Sequence, residues 1–312
     1  MTRHLLRDDD LTPAEQAEVL ALAARFKAEP YDHKPLAGPR TVALVFDRPT
    51  LRTQVSFTAG IAELGGHPMT VDGGLAGIGH RESVTDVARV LGRQVSAIVW
   101  RTAHHRDLAT MAEHAGVPVV NALTDDFHPC QLLADLLTVQ EHVGTLAGVR
   151  VAFVGDGACN MGSSWVLAGA LAGMHVVVAS PVGHEPAAGV VARAGEIAAT
   201  TGGSVTLEVD PVKAVAGAQV VVTDTWVSMG REAQEADRLR AFAPYALTSD
   251  LLAHASPQAT VMHCLPAYRG KEIAADVVDG PQSVVWDEAE NRRHAQKAVL
   301  AFLLERSEGA AS

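Results

Sequence analysis

The sequence predicts an α/β protein of two doubly wound domains, each a parallel sheet flanked by helices, joined by long helices. Two observations carry this. Short β-branched apolar runs alternate with helix-length segments along the chain, the pattern of parallel strands covered by helices on both faces. A break at Gly144 to Gly148 divides that alternation into two halves, and 312 residues suit about two domains.

Each element has a local reason. Thr12-Pro13-Ala14-Glu15 reads as an N-cap, a proline at the first helical position and an early acid, opening a helix that runs to about Lys27. Thr41 to Phe46 is a β-branched strand, and a helix from Thr50 to Leu64 stops at Gly65-Gly66. Strand Pro68 to Val71, helix Ser83 to Leu91, strand Ala97 to Trp100, helix Asp107 to Ala115, strand Val117 to Asn121 and helix Pro129 to His142 complete the first half. The second half opens with strand Val149 to Val154 and continues with helix Met161 to Ala172, strand His175 to Ala179, helix Pro186 to Thr200 and strand Ser204 to Val209. Helix Pro211 to Ala216, strand Val220 to Thr223, helix Ser249 to Ala255, strand Ala259 to Met262 and a last strand Val284 to Trp286 follow, before a terminal helix Glu288 to Glu305.

Composition excludes several classes. Twenty-five basic residues stand against 36 acids, a net charge of −11, which argues against nucleic acid. A few local arginines can still hold a small anion. Three cysteines (Cys130, Cys159, Cys264), with no C-x-x-C, suit a reduced cytoplasmic protein. The N-terminus lacks the apolar stretch of a signal peptide, and the longest apolar run is broken by glycines and His175, so no membrane span is expected.

Polar clusters fall at strand ends, where ligands of open α/β sheets sit. Arg48-Pro49-Thr50-Leu51-Arg52-Thr53 marks a strand end turning into a helix N-terminus, a natural anion site; a capped surface helix with solvated arginines is its plain alternative. Arg101 ends a buried strand and needs an anion, bound or internal. His128-Pro129-Cys130-Gln131 puts an imidazole at a helix mouth with Gln131 on the same turn; a structural histidine is the rival reading. Gly155-Asp156-Gly157-Ala158-Cys159-Asn160 resembles a dinucleotide turn, but Asn160 stands where the third glycine belongs and no acid ends the next strand, so no nicotinamide cofactor is expected. Asp224 and Ser228, in Asp224-Thr225-Trp226-Val227-Ser228-Met229-Gly230, suit an amino-acid head group. His263-Cys264-Leu265-Pro266 ends another strand, and Arg292 opens the last helix. The other histidines lack metal-ligand spacing, so no metal is expected, and no G-x-S-x-G elbow occurs.

Together, His128-Pro129-Cys130-Gln131, Asp224 to Gly230, His263-Cys264-Leu265-Pro266 and Ala289-Glu290-Asn291-Arg292 resemble the ornithine branch of the aspartate/ornithine carbamoyltransferase superfamily, over essentially the whole chain. The resemblance implies residues 1–145 as a carbamoyl-phosphate-binding domain, onto which a helix over 288–312 packs back, and 146–287 as an ornithine-binding domain. It implies that Thr50, Leu51, Arg52, Thr53, Arg101, His128, Gln131, Cys264, Leu265 and Arg292 hold carbamoyl phosphate. It gives Arg101, His128 and Cys264 the catalytic roles and Asn160, Asp224, Ser228 and Met229 the ornithine. It further implies transfer of the carbamoyl group to the side-chain amine of L-ornithine in arginine biosynthesis, giving L-citrulline and phosphate, with no cofactor. A cytoplasmic homotrimer, or a multiple of trimers, is the implied assembly.

Leu51, Gln54 and Gly77 are the three departures from the family pattern that bear on donor affinity or substrate choice. Its phosphate motif usually reads Ser-Thr-Arg-Thr-Arg, whereas this chain reads Thr50-Leu51-Arg52-Thr53-Gln54, and Ala76-Gly77 replace the usual Ser-Gln. These departures motivate two other readings: a sister carbamoyltransferase with a different amine or acyl donor, and a catalytically weak ligand-binding homologue.

Overall fold

The computed structural model describes residues 2–227 and 232–308. The chain divides into two compact units, one of residues 1–134 with 290–312 and one of residues 135–289.

The first unit contains α1 (Pro13–Ala28), β1 (Thr41–Phe46), α2 (Arg52–Glu63), β2 (His67–Asp72), α3 (Gly73–Ala76), α4 (Val84–Leu91), β3 (Ala97–Arg101), α5 (His105–Ala115), β4 (Val119–Leu123) and the start of α6 (Pro129–Val143). Its sheet is parallel, in the order β2-β1-β3-β4. The chain builds outward from β1 to β2, then returns to the other side of β1 for β3. That reversal opens a crevice at the carboxyl ends of β1 and β3. Ala43, Val45, Val87, Ile98, Trp100, Leu108 and Met111 pack as one core cluster on this sheet. The N-cap prediction for α1 holds: Thr12 Oγ1 accepts from Glu15 N, and Glu15 accepts from Thr12 N at 2.9 Å.

The second unit holds β5 (Arg150–Val154), α7 (Asn160–Leu171), β6 (His175–Ala179), α8 (Ala188–Thr201), β7 (Ser204–Glu208), α9 (Pro211–Val215), β8 (Val220–Thr223), α10 (Glu235–Phe242), α11 (Ser249–Leu252), β9 (Thr260–Met262) and α12 (Ala275–Val278). The order β7-β6-β5-β8-β9 is again parallel throughout, and its reversal lies between β5 and β8. Val154, Ala179, Val221, Leu247, Leu251, Val261 and Ile273 share its core. The last helix, α13 (Val285–Glu308), begins in this unit and continues in the first.

One expectation needs correction. Val284 to Trp286 is not a strand: Val284 N donates to Val261 O at 3.0 Å, and the chain then enters α13. A three-residue apolar run is too short for periodicity to separate strand from helix. Helix α10 was not foreseen, because half of its sequence EADRLRAF is charged and it carries no strong apolar stripe. Among the described residues, no helix is long and apolar enough to cross a membrane.

Close packing makes two helical glycines a useful contrast. A Cβ on Gly162 of α7 would lie 2.3 Å from Gly157 O, whereas one on Gly195 of α8 would meet nothing within 4 Å. Gly162→Ala should destabilise the protein by about 1–3 kcal/mol through overpacking. Gly195→Ala should stabilise it by about 0.5–1 kcal/mol through helix propensity. Urea unfolding of both variants checks this, and equal midpoints would contradict it.

Candidate functional site

In the first unit the polar clusters collect at the β1/β3 crevice. Thr50 lies just before α2, and its Oγ1 accepts from Arg101 Nη1 at 3.2 Å. Arg52 is the first residue of α2, and Leu51 is its N-cap, with a side chain 72% exposed. Thr53 is buried one residue on, and its Oγ1 accepts from Arg292 Nη2 at 2.8 Å. The same guanidinium donates through Nη1 to Gln131 Oε1. His128 is buried at the mouth of α6, and its carbonyl accepts from Gln131 N at 3.0 Å. Thus α13, from the far end of the sequence, supplies an arginine that ties α2 to α6 within this unit. Of the three departing positions, Leu51 and Gln54 point to solvent, and Gly77 is the left-handed C-cap of α3.

Burial holds His128 well below the ordinary histidine range of 6.5, reinforced by Arg292, Arg101 and Arg52. A neutral imidazole there keeps one N–H to give and adds no charge. The arrangement presents a positive field, a hydroxyl pair and a neutral donor, chemistry that suits a phosphorylated carbonyl compound.

In the second unit the β5/β8 reversal gathers another set. Asp224 is buried one residue past β8. The Cys264 thiol, two residues past β9, donates to its Oδ1 at 3.3 Å, and Thr225 N donates to the same oxygen at 2.7 Å. Cys159 Sγ lies 4.0 Å from Oδ2, and Asn160 opens α7 next to it. Burial raises the Asp224 carboxyl above the usual range. Burial and the nearby Asp224 carboxylate push both thiols, Cys159 and Cys264, well up, so they are protonated hydrogen-bond donors at neutral pH rather than thiolate nucleophiles. Ser228 and Met229 lie outside the described residues.

The His263-Cys264-Leu265-Pro266 turn has a built support that sequence reading did not assign. Leu265 adopts φ 57°, a conformation that costs a non-glycine residue about 1–2 kcal/mol. Its N–H donates to His263 Nδ1 at 2.9 Å, which fixes the tautomer and leaves Nε2–H facing Glu272 Oε1 at 3.2 Å. His263 N donates to Glu288 Oε2 at 2.9 Å. Both acids are fully buried, yet neither occurs in a recognisable motif with the turn. Asp224, His263 and Cys264 bring three potential metal-ligand atoms within 4.8 Å of one another. His263 already uses both ring nitrogens inside the protein, so the trio as arranged does not suit a cation.

The His128 environment fixes a pH response. Below about 6.5 the unfolded chain takes up a proton that the folded site refuses. Stability present above that pH is therefore lost on acidification, at up to about 1.4 kcal/mol per pH unit for one proton. His4, His105 and His294, also lowered by burial, act in the same direction. Ring ¹⁵N spectra at pH 6 should show His128 neutral, and His128→Gln should flatten the decline in urea stability between pH 7 and 5. A protonated His128 at pH 6 would contradict this account.

Known proteins resemble this chain over nearly its whole length. Residues 3–141 match the family model described as aspartate/ornithine carbamoyltransferase, carbamoyl-P binding domain. Residues 147–303 match the Asp/Orn binding domain of the same family. An ornithine carbamoyltransferase of Clavibacter sepedonicus is 60% identical over 307 residues, covering 98% of this chain and 100% of that protein. One from Mycolicibacterium paratuberculosis is 56% identical, covering 97% of this chain and 98% of that protein. The structure of ornithine carbamoyltransferase from Pyrococcus furiosus superposes with a TM-score of 0.94 at 46% identity, covering 97% of both chains. That from Thermus thermophilus gives 0.88 at 41%, covering 97% of this chain and 99% of the other. With both family models matched and the strand-end residues at the two sheet reversals, the chain belongs to the aspartate/ornithine carbamoyltransferase family.

Proposed function

We propose that this protein transfers the carbamoyl group of carbamoyl phosphate to the side-chain amine of L-ornithine, giving L-citrulline and phosphate, in arginine biosynthesis. The observation that carries the reading is the buried His128 at the mouth of α6, in the same unit as Arg101 bonded to Thr50 and Arg292 bonded to Thr53 and Gln131, in the part of the chain matched as carbamoyl-P binding. Near-complete coverage by ornithine carbamoyltransferases supports the choice of amine.

The roles follow from charge. Thr50, Arg52, Thr53 and the Leu51 backbone hold the phosphate, with Gln131 and Arg292 completing the donor site. The ornithine amine attacks the carbonyl carbon in its neutral form. Negative charge then develops on the carbonyl oxygen, where Arg101 and the His128 N–H donate. One such preorganised donor contributes about 2.7–4 kcal/mol to the barrier reduction. The intermediate collapses by breaking the carbon–oxygen bond to phosphate, which leaves carrying the amine's proton. Asp224, Asn160, Ser228 and Met229 bind the amino acid. The thiol of Cys264, with its carbonyl and that of Leu265, orients the attacking nitrogen and the carbamoyl group; the thiol forms no covalent bond. The exposed Leu51 side chain costs the phosphate site a hydroxyl but not a backbone N–H. We assign the protein to the cytoplasm and to a homotrimer.

Incubation with both substrates should yield citrulline, from a species sedimenting at three chain masses. Asp224→Asn should lower kcat/KM for ornithine by a factor of about 100, equivalent to roughly 2.7 kcal/mol, with carbamoyl phosphate affinity unchanged. No citrulline above a protein-free control would reject the reading, and an active monomer would reject the assembly.

A further inference from the structure

We propose that Arg238 is a positioning residue for the amine-binding residues of the second unit. It joins the exit of β8, which carries Asp224, to the glycine-rich turn after β5, which leads into Asn160. The inference rests on the assignment of those two residues to the amino-acid substrate.

Arg238 lies on α10, and its guanidinium is buried. One face of the fork donates to the Asp156 carboxylate. Nε donates to the carbonyl of Trp226, two residues past Asp224. Asp156 in turn shapes the start of α7: its Oδ1 accepts from Ala158 N at 3.2 Å, and its carbonyl accepts from Cys159 N at 3.2 Å. One planar cation therefore sets the direction of two backbone segments, neither of which belongs to its own helix.

The surroundings keep that cation in place. Its guanidinium carbon sits 4.9 Å from the Phe242 ring centre. Trp226 stacks on Phe242 at 5.9 Å, and His184 meets the same ring edge-on at 4.7 Å. His184 Nδ1 is also 3.9 Å from Asp156 Oδ1. Gly155 completes the arrangement with φ 131°; a Cβ there would lie 3.2 Å from Trp226 Nε1, so only glycine lets the tryptophan approach the turn.

A buried ion pair is a poor source of net stability, because desolvation offsets most of the attraction and apolar residues would fill the space as well. What apolar residues cannot do is fix two directions at once. A rigid fork with donors aimed along both can. The two points that Arg238 holds, Trp226 and Asp156, lie two and four residues from Asp224 and Asn160, so its geometry passes directly to the groups assigned to the amino acid.

The test measures steady-state kinetics with carbamoyl phosphate and ornithine, alongside thermal melts, on Arg238→Gln, Arg238→Lys, Asp156→Asn and the double variant Asp156→Asn/Arg238→Gln. Arg238→Gln and Asp156→Asn should each raise the KM for ornithine at least tenfold and leave the KM for carbamoyl phosphate within twofold. The double variant should be no worse than either single one, as expected of two groups acting as a unit. Arg238→Lys keeps the charge but loses the fork, and should raise the ornithine KM at least threefold. If Arg238→Gln fails to fold, the double variant, which buries no lone charge, and Arg238→Lys decide the question. Lowered melting temperatures with an ornithine KM within twofold of wild type would make Arg238 a purely structural residue and overturn the inference alone. Wild-type protein that makes no citrulline would overturn the substrate assignment and this inference with it.

Discussion

One buried imidazole among three guanidinium groups dictates how the first unit is built. His128 is buried, and Arg292, Arg101 and Arg52 all oppose its protonation. Those arginines come from the start of α2, the end of β3 and the start of the chain's return through α13. Parallel strands place their carboxyl ends on one side of a sheet, so a reversal of strand order is the place where such distant segments can meet. The Arg292 bonds to Thr53 and Gln131 then make the return of α13 part of the same constellation.

The second unit uses the same topology for the opposite charge. Asp224 leaves β8 beside the turn that follows β5, with thiols on its two oxygens. Neutral thiols solvate a carboxylate without neutralising it, which leaves its charge available to an ammonium or an amine. The backbone around it is held by groups that touch no proposed ligand: His263 with Glu272 and Glu288 under the Cys264 turn, and Arg238 with Asp156 under the turn before α7. Such supports are what make a constellation precise enough for chemistry.

What could be read from the chain was what local rules govern. Thr41–Phe46, His175–Ala179 and Val220–Thr223 are strands over the very residues that β-branched runs marked. The helix mouth at His128-Pro129 followed from the preference of proline for the first helical position. Arg52, Arg101, His128 and Gln131 stood out because polar groups at strand ends need a reason. Arg238 and Glu288 did not, because their partners Asp156 and His263 are remote in sequence, and Glu272 did not because it follows an ordinary polar loop. The last apolar run, Val284 to Trp286, misled for a related reason: its fate depends on Val261 and on the helix behind it, not on its own three residues.

We propose that the first unit is built to hold a doubly charged donor by the arginines bearing on His128. Calorimetric titration of carbamoyl phosphate into the wild-type protein and into Arg292→Gln, without ornithine, tests it most directly. Carbamoyl phosphate should bind the wild-type protein and bind the variant at least about tenfold more weakly, roughly 1.4 kcal/mol. Equal affinity in the two, or no binding to either, would contradict it.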